Sequence, residues 1–548
     1  MVDVLADQAS GKGMGMEPRV FAPMLQKILT FVSRVGVPLV SGIEARLPAS
    51  GYALESRVFW REIAASMMSA LPLLFVPGMP DRFHHNYLAA SRFMASFGAM
   101  FASVGEGRAV DELLAAEQAY AEFHRKWQLS AYYMICKRRI VETLGGKAGS
   151  GAGGADGARR GMARSPALGG TESGPGTPSL VASPTPHGTP TSSHTDGLDT
   201  DAIAQVQVDA GLHTEPAAMA MWATSQCWTS RVYLEPLAAR FWQLTVQILM
   251  WYRQTATQAL RQLVKTSAAL AGTDALDSPE MDALLHHIHD SFVLRLHVAD
   301  QARTASCLLP EPLPAATGEP DALDGGSRSN DFRGAMLASM EAAVAQTWAP
   351  LEEAANGAVD YLAATIVTAS CGSLASQLRR TTSLFRHTNR DPPTTASPFV
   401  AKLFVPLAAA EARVDGMQRS SDAREFARAT RHRLRAAVCA DISREMARAC
   451  SEALSTISKT EASLLRLRRT RTGADTADAS VRGAGAPDGL PVPAGVDLRG
   501  TEPAADNDKI RRQVWLDVAA TARIIAEHGA QPHSEFAAFE RLIAPLGL

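Results

Sequence analysis

CWTSRVYLEPLAARFWQLTVQILMWYRQTATQAL, Cys227 to Leu260, decides the fold class. Leu234, Leu237, Phe241, Leu244, Ile248 and Tyr252 recur every three or four residues, the period of one helical face. Pro236 stands near the start, where a first helical turn tolerates it. The same stretch holds Trp228, Tyr233, Phe241, Trp242, Trp251 and Tyr252, in a chain that is only 6% aromatic. A stripe this apolar reads as the inward face of a long helix.

The segments around it read the same way. In LPLLFVPGMPDRFHHNYLAASRFMASF, Leu71 to Phe97, Pro77, Gly78 and Pro80 break one helix, and Asp81 is placed to cap the next. Phe83, Tyr87, Met94 and Phe97 then line one face. In FRHTNRDPPTTASPFVAKLFVPL, Phe385 to Leu407, Pro392, Pro393 and Pro398 forbid a continuous helix, so it reads as a connector. ISKTEASLLRLRRTR, from Ile457, and NDKIRRQVWLDVAA, from Asn507, are again helical. No alternating apolar-polar run is bounded by hairpin turns. The expected fold is all-α.

The chain has 548 residues, too many for one core, so two or three domains are expected. A net charge of -2 supplies no global basic field for nucleic acid. Six cysteines lack CxxC spacing, which fits reduced thiols rather than a disulfide framework or zinc site. There is no N-glycosylation sequon and no signal-peptide pattern. No unbroken run of 18 apolar residues occurs, so no bilayer span is expected.

Composition shifts divide the chain. Residues 1–16 read as a disordered N-terminus and 17–144 as a helical middle domain. KWQLSAYYMICKRRIVETL, from Lys126, reads as that domain's last helix. Residues 145–200 are Gly, Ser, Thr, Pro and Ala, too poor in large apolar groups to offset ordering entropy, and read as a disordered linker. Residues 201–307 form a helical bundle around RFWQLT, 308–331 a loop, 332–471 a helical C-terminal domain, 472–506 a disordered loop and 507–548 terminal helices. Loops of this length read as insertions.

These segments together resemble a known family, subunit 2 of the conserved oligomeric Golgi complex. The family's "Phe-x-Pro-Gly-x-Pro-Asp-x-Phe-His-x-x-Tyr" turn is matched by Pro77, Gly78, Asp81 and Phe83. Its "Arg-Phe-Trp-x-Leu-Thr-x-Gln" helix is matched by Pro236, Leu237, Arg240, Phe241, Trp242, Leu244, Thr245 and Gln247. Its "Thr-Asn-Arg-x-x-Pro-Thr-x-x-Ser" connector is matched by Asn389, Arg390, Pro393 and Ser397. Its "Glu-x-Ser-Leu-x-x-Leu" helix is matched by Glu461, Ser463, Leu464 and Leu467, and its last motif by Lys509, Ile510, Arg511, Gln513 and Asp517. The matches occur in family order.

The resemblance implies an elongated stack of helical bundles of the tethering-complex type. It implies a non-catalytic subunit on the cytosolic face of Golgi membranes, with a cytosolic pool, acting in intra-Golgi retrograde transport and Golgi organisation. The implied partners are other subunits of the complex, with SNAREs, Rab GTPases and coat proteins as further candidates, and peripheral membrane contact. It implies no nucleic acid and no cofactor. The family usually opens with a long coiled coil, whereas Pro18 to Leu144 already reads as middle domain and no sustained heptad precedes it. An all-α tether of another complex, exocyst-like, is the alternative of the same fold.

Candidate chemistry is sparse. LLHHIHDSFVLRLHVAD offers His286, His287, His289 and His297. His286 and His289 share a face at i, i+3 with Asp290 near, so a metal protein is a further alternative to a histidine cluster on a helix. GSGAGG, from Gly149, follows a helix rather than a strand and lacks the context of a dinucleotide site. No Walker or nucleophile-elbow motif occurs, and no catalytic site is expected. Ser165, Thr177, Ser183, Thr185 and Thr189 each precede proline in the first linker and are candidate phosphorylation sites. Arg466, Arg468, Arg469 and Arg471, with Lys509, Arg511 and Arg512, are the strongest basic concentration, suited to an acidic partner or anionic lipid.

Overall fold

The stripes become helices. The computed structural model describes residues 18–46, 54–101, 117–148, 196–269, 276–308, 325–386, 390–417, 421–479 and 503–547. Among the described residues there is no strand, and the fold is all-α. The chain folds into two compact units. Met1–Gln205, Ala218–Tyr252 and His297–Thr347 make the first, and Val206–Ala217, Arg253–Leu296 and Trp348–Leu548 the second. Each unit thus draws on several separated stretches of the chain. A stripe states that a helix must bury a face, not which segment covers it.

The first unit holds α1 (Pro18–Phe31), α2 (Val37–Arg46), α3 (Arg61–Ala70), α4 (Pro80–Phe101), α5 (Gln118–Lys126) and α6 (Leu129–Ala148). Five helices contribute residues to both units: α7 (Asp196–Asp209), α8 (Glu215–Trp228), α9 (Ala238–Ala268), α10 (Pro279–Leu308) and α11 (Gly325–Cys371). The second unit adds α12 (Leu374–Phe385), α13 (Pro398–Lys402), α14 (Val405–Gly416), α15 (Ser421–Ala479), α16 (Pro503–Glu527) and α17 (Ser534–Ile543).

The first unit has an aromatic core. Trp60 is fully buried, with ring centroids of Phe123, Tyr120 and Phe97 5.5, 5.7 and 5.9 Å away. Such tilted pairs add to the area term. Trp127 meets Phe75, Phe83 and Tyr87 edge-on. That insertion breaks the helix read through KWQLS: Trp127 takes an extended backbone between α5 and α6. Asp81 is a second correction. α4 begins at Pro80, so Asp81 lies in its first turn rather than at the cap, where its charge favours the helix dipole.

In the second unit α15 buries Leu434, Val438, Ile442, Met446 and Cys450 at four-residue spacing. Phe385, Ile457 and Ile510 close a small cluster where α12, α15 and α16 meet. All six cysteines are free. Burial pushes the Cys227 thiol up to about 12 and Cys439 up to about 11, so both are protonated, inert core groups.

Two helical stretches, Pro18–Ile43 and Arg333–Phe385, are long and apolar enough by composition to cross a membrane. The expectation of no bilayer span rested on unbroken runs, whereas an average over a window tolerates interspersed polar residues. Core helices pass the same test, and α1 buries Phe21, Met24, Leu25, Ile28 and Leu29 within its own unit. The segments expected to be disordered lie largely outside the described residues, as do all five Ser/Thr-Pro pairs. Their margins are helical: α6 runs to Ala148, α7 starts at Asp196, α11 at Gly325 and α16 at Pro503, and α15 continues to Ala479.

Candidate functional site

The matched motifs converge on buried polar junctions. In the first unit, α8 ends at Trp228 and the chain turns before a short 3-10 helix, Glu235–Leu237, leads into α9. The turn's carbonyls have no helical partner and must be satisfied from elsewhere. His84 Nε2 of α4 donates to the Tyr233 carbonyl at 2.9 Å. Tyr132 of α6 donates to the Val232 carbonyl at 2.8 Å. Burial lowers the His84 pKa, which keeps the ring neutral with its proton on Nε2. Tyr133 donates to the Arg240 carbonyl at 3.2 Å, and the Arg240 guanidinium donates to Ser130 at 2.9 Å. Lys137 donates to Gln247 at 3.3 Å.

The stripe behaves as its period requires: Leu234, Leu237, Phe241, Leu244, Ile248 and Tyr252 are all 3% exposed or less. Thr245 is buried with them. It accepts from Trp228 Nε1 at 3.1 Å and donates to the Phe241 carbonyl at 3.0 Å. Trp242 packs against Ala302, Ala305 and Met340. Pro77 and Phe83 are buried, whereas Gly78, Pro236 and Arg240 face solvent.

In the second unit the connector meets α16 at one carboxylate. Asp517 accepts from the Ser397 amide at 2.6 Å, from Ser397 Oγ at 2.9 Å and from Gln513 Nε2 at 2.8 Å. Gln513 also donates to the Thr395 carbonyl at 3.1 Å. Ser397 is the residue before α13, so the lock fixes where the connector re-enters helix. Burial raises the Asp517 pKa, and its three donors pull against that rise. Pro393 is buried and Arg390 exposed, while Asn389 lies outside the described residues.

A third junction joins α15 to α16. Glu461 accepts from Arg511 and Asn507, both at 2.7 Å, and Lys509 pairs with Asp506 at 3.5 Å. Ile510 is buried, but Ser463, Leu464 and Leu467, of the same motif as Glu461, are exposed. The basic concentration is therefore partly neutralised. Arg511 and Lys509 hold acids, while Arg466 and Arg512 are exposed.

The histidines do not gather as a shared helical face suggests. Gly211, at φ 65°, ends α7 in the left-handed region glycine tolerates. The turn after it delivers the His213 and Thr214 amides to Asp290 at 3.0 and 2.6 Å. His289 Nδ1 donates to the same carboxylate at 3.0 Å. His213, His289 and Asp290 are the group whose ligand atoms lie within 4.8 Å of one another. His286 instead stacks flat on His213 at 4.2 Å, and His297 sits in the first unit beside Ser225. Asp290 is thus occupied in holding the turn before α8. Sequence reasoning missed His213; the Gly-Leu-His-Thr-Glu-Pro run before α8 was the available signal.

These features define a class: an all-α helical-bundle protein whose motif residues lock turns and helix ends. Comparison with known proteins then gives the family. A family described as COG complex component, COG2, C-terminal, matches residues 190–518, more than half of the chain. The chain belongs to that family. Conserved oligomeric Golgi complex subunit 2 of Arabidopsis thaliana is 22% identical over 488 residues, covering 88% of this chain and 52% of that protein. The Drosophila melanogaster subunit 2 is 21% identical over 531 residues, covering 94% and 60%. The human subunit 2 is 33% identical over 94 residues, covering 17% and 12%. The chain thus spans little more than half the length of these Arabidopsis and Drosophila relatives. No solved structure matches it.

Proposed function

We propose that this chain acts as a non-catalytic subunit of a Golgi vesicle-tethering complex. The observation that carries this is the family match across residues 190–518, whose motifs fall at buried junctions of both units. In this reading the helical units present surfaces to other subunits of the complex and to SNAREs, Rab GTPases or coat proteins. Several modest contacts held on one scaffold raise effective concentration without chemistry. The work is intra-Golgi retrograde transport and Golgi organisation, on the cytosolic face of the membrane and with a cytosolic pool. The test is affinity purification of the tagged chain at native expression, with mass spectrometry and imaging. Recovery of other Golgi-tether subunits with juxtanuclear staining is the expected result. Recovery of exocyst-type subunits instead, or of none, overturns it.

A further inference from the structure

The first helical segment among the described residues is apolar on more sides than the core uses. While α1 buries Phe21, Met24, Leu25, Ile28 and Leu29, a second apolar strip faces out. Phe31, Val35 and Leu39 are 48%, 48% and 51% exposed. Phe31 ends α1, Val35 lies in a π-helical turn, Val32–Gly36, and Leu39 lies in α2; about one turn apart, they share a side of the continuous segment. Val20, Lys27 and Arg34, at seven-residue spacing, form the neighbouring strip, so cations border the apolar one. Arg19, Val20, Lys27 and Arg34 are all exposed. From Pro18 to Ile43 there is no acidic residue. The helix packed against this segment, α4, contributes a single acid, Asp81.

An exposed apolar strip flanked by cations, with no acid before Glu44 near the end of α2, is the pattern of a helix that lies in a membrane interface. We propose that the outer face of the segment from α1 through the π-helical turn into α2 (Val20, Phe31, Val35 and Leu39, with Arg19, Lys27 and Arg34) is a contact surface for an anionic phospholipid membrane. The phenyl and aliphatic groups enter the headgroup boundary, and the cations meet lipid phosphates and carboxylates. The helix lies on the bilayer rather than crossing it, because its other side is committed to the protein core. This rests on the peripheral-membrane part of the proposed function and assigns it a surface.

The test is flotation of the purified full chain with vesicles of phosphatidylcholine alone, and with vesicles carrying about 30% phosphatidylserine. The chain should float with the anionic vesicles only, and less as salt rises. Lys27→Ala with Arg34→Ala should weaken vesicle affinity about 25-fold, at about fivefold per cation. Phe31→Glu with Leu39→Glu should abolish flotation while leaving the melting temperature unchanged, since both side chains are about half exposed. Absence of wild-type flotation, or variants that float like wild type, overturns the proposal. So does a Phe31→Glu/Leu39→Glu chain that floats normally but loses a co-purifying subunit, which makes the face a protein interface. Resistance of the cellular protein to alkaline extraction also overturns it, in favour of a spanning helix. The tethering reading fails separately, when no complex subunit co-purifies whatever the chain does on vesicles.

Discussion

Replacing Asp517 tests whether the motif-to-motif junction holds the second unit together. The carboxylate is fully buried and accepts three hydrogen bonds. In Asp517→Ala, Gln513 keeps the Thr395 carbonyl, and the Ser397 hydroxyl is free to rotate. The Ser397 amide is orphaned, at about 1–3 kcal/mol, and the small void adds about 1 kcal/mol. The expected loss is about 3 kcal/mol, or roughly 6–12 °C in the melting temperature of a unit this large. Asp517→Asn is the discriminating variant. Its carbonyl can take the Ser397 and Gln513 protons while its amide donates to the Ser397 hydroxyl, so it should melt within about 2 °C of wild type. The pH sign is fixed by burial. The folded pKa lies above the ordinary 3.8, so the folded state binds more protons than the unfolded one. Stability therefore falls as pH rises from near 3.8 to the raised value, then levels off. Asp517→Asn should remove that slope. Thermal melts of the full chain across this range read both effects. An alanine variant as stable as wild type, or an asparagine variant as damaged as alanine, would refute the junction.

Asp290→Ala should destabilise the second unit by about 2–4 kcal/mol in denaturant melts, because the His213 and Thr214 amides lose their acceptor. If the carboxylate is a cap, chelator leaves the wild-type melt unmoved, and a drop on chelation would point to a bound cation instead. Phe241→Ala, at a fully buried ring, should cost about 3–5 kcal/mol in the same melts, while substitution of exposed Arg240 should cost far less. His84 and His124 both have pKa values lowered by burial, so their neutral forms stabilise the first unit above the ordinary 6.5. That stability is lost as pH falls below 6.5, and protection factors against hydrogen exchange, corrected for the intrinsic rate, should fall there in α4 and α5, less so in His84→Gln.

The three-to-four-residue stripe from Leu234 to Tyr252, the proline breaks near Pro77 and Pro393 and the absence of strand patterns made the all-α class legible. Local chemistry dictates these features, and burial of the whole stripe follows from its period. Family membership was legible for a similar reason, as the motif order is a property of the chain alone. Pairings over long separations were not. His84 and the Tyr233 carbonyl are 149 residues apart, and Ser397 and Asp517 are 120 apart. Nothing in either segment's own pattern names its partner. Periodicity put His286 with His289, yet the turn after Gly211 brought His213 to Asp290 instead. Leu464 and Leu467 match the same motif as Glu461, yet both stand exposed, which the motif itself does not tell. The sequence by itself determined most of the helical segments, which faces are apolar and the proline breaks, because those depend on neighbours one or two turns away. Only the tertiary structure decided which faces meet, which carboxylates become locks and which apolar strips stay uncovered. Burial is a property of what the rest of the chain brings alongside.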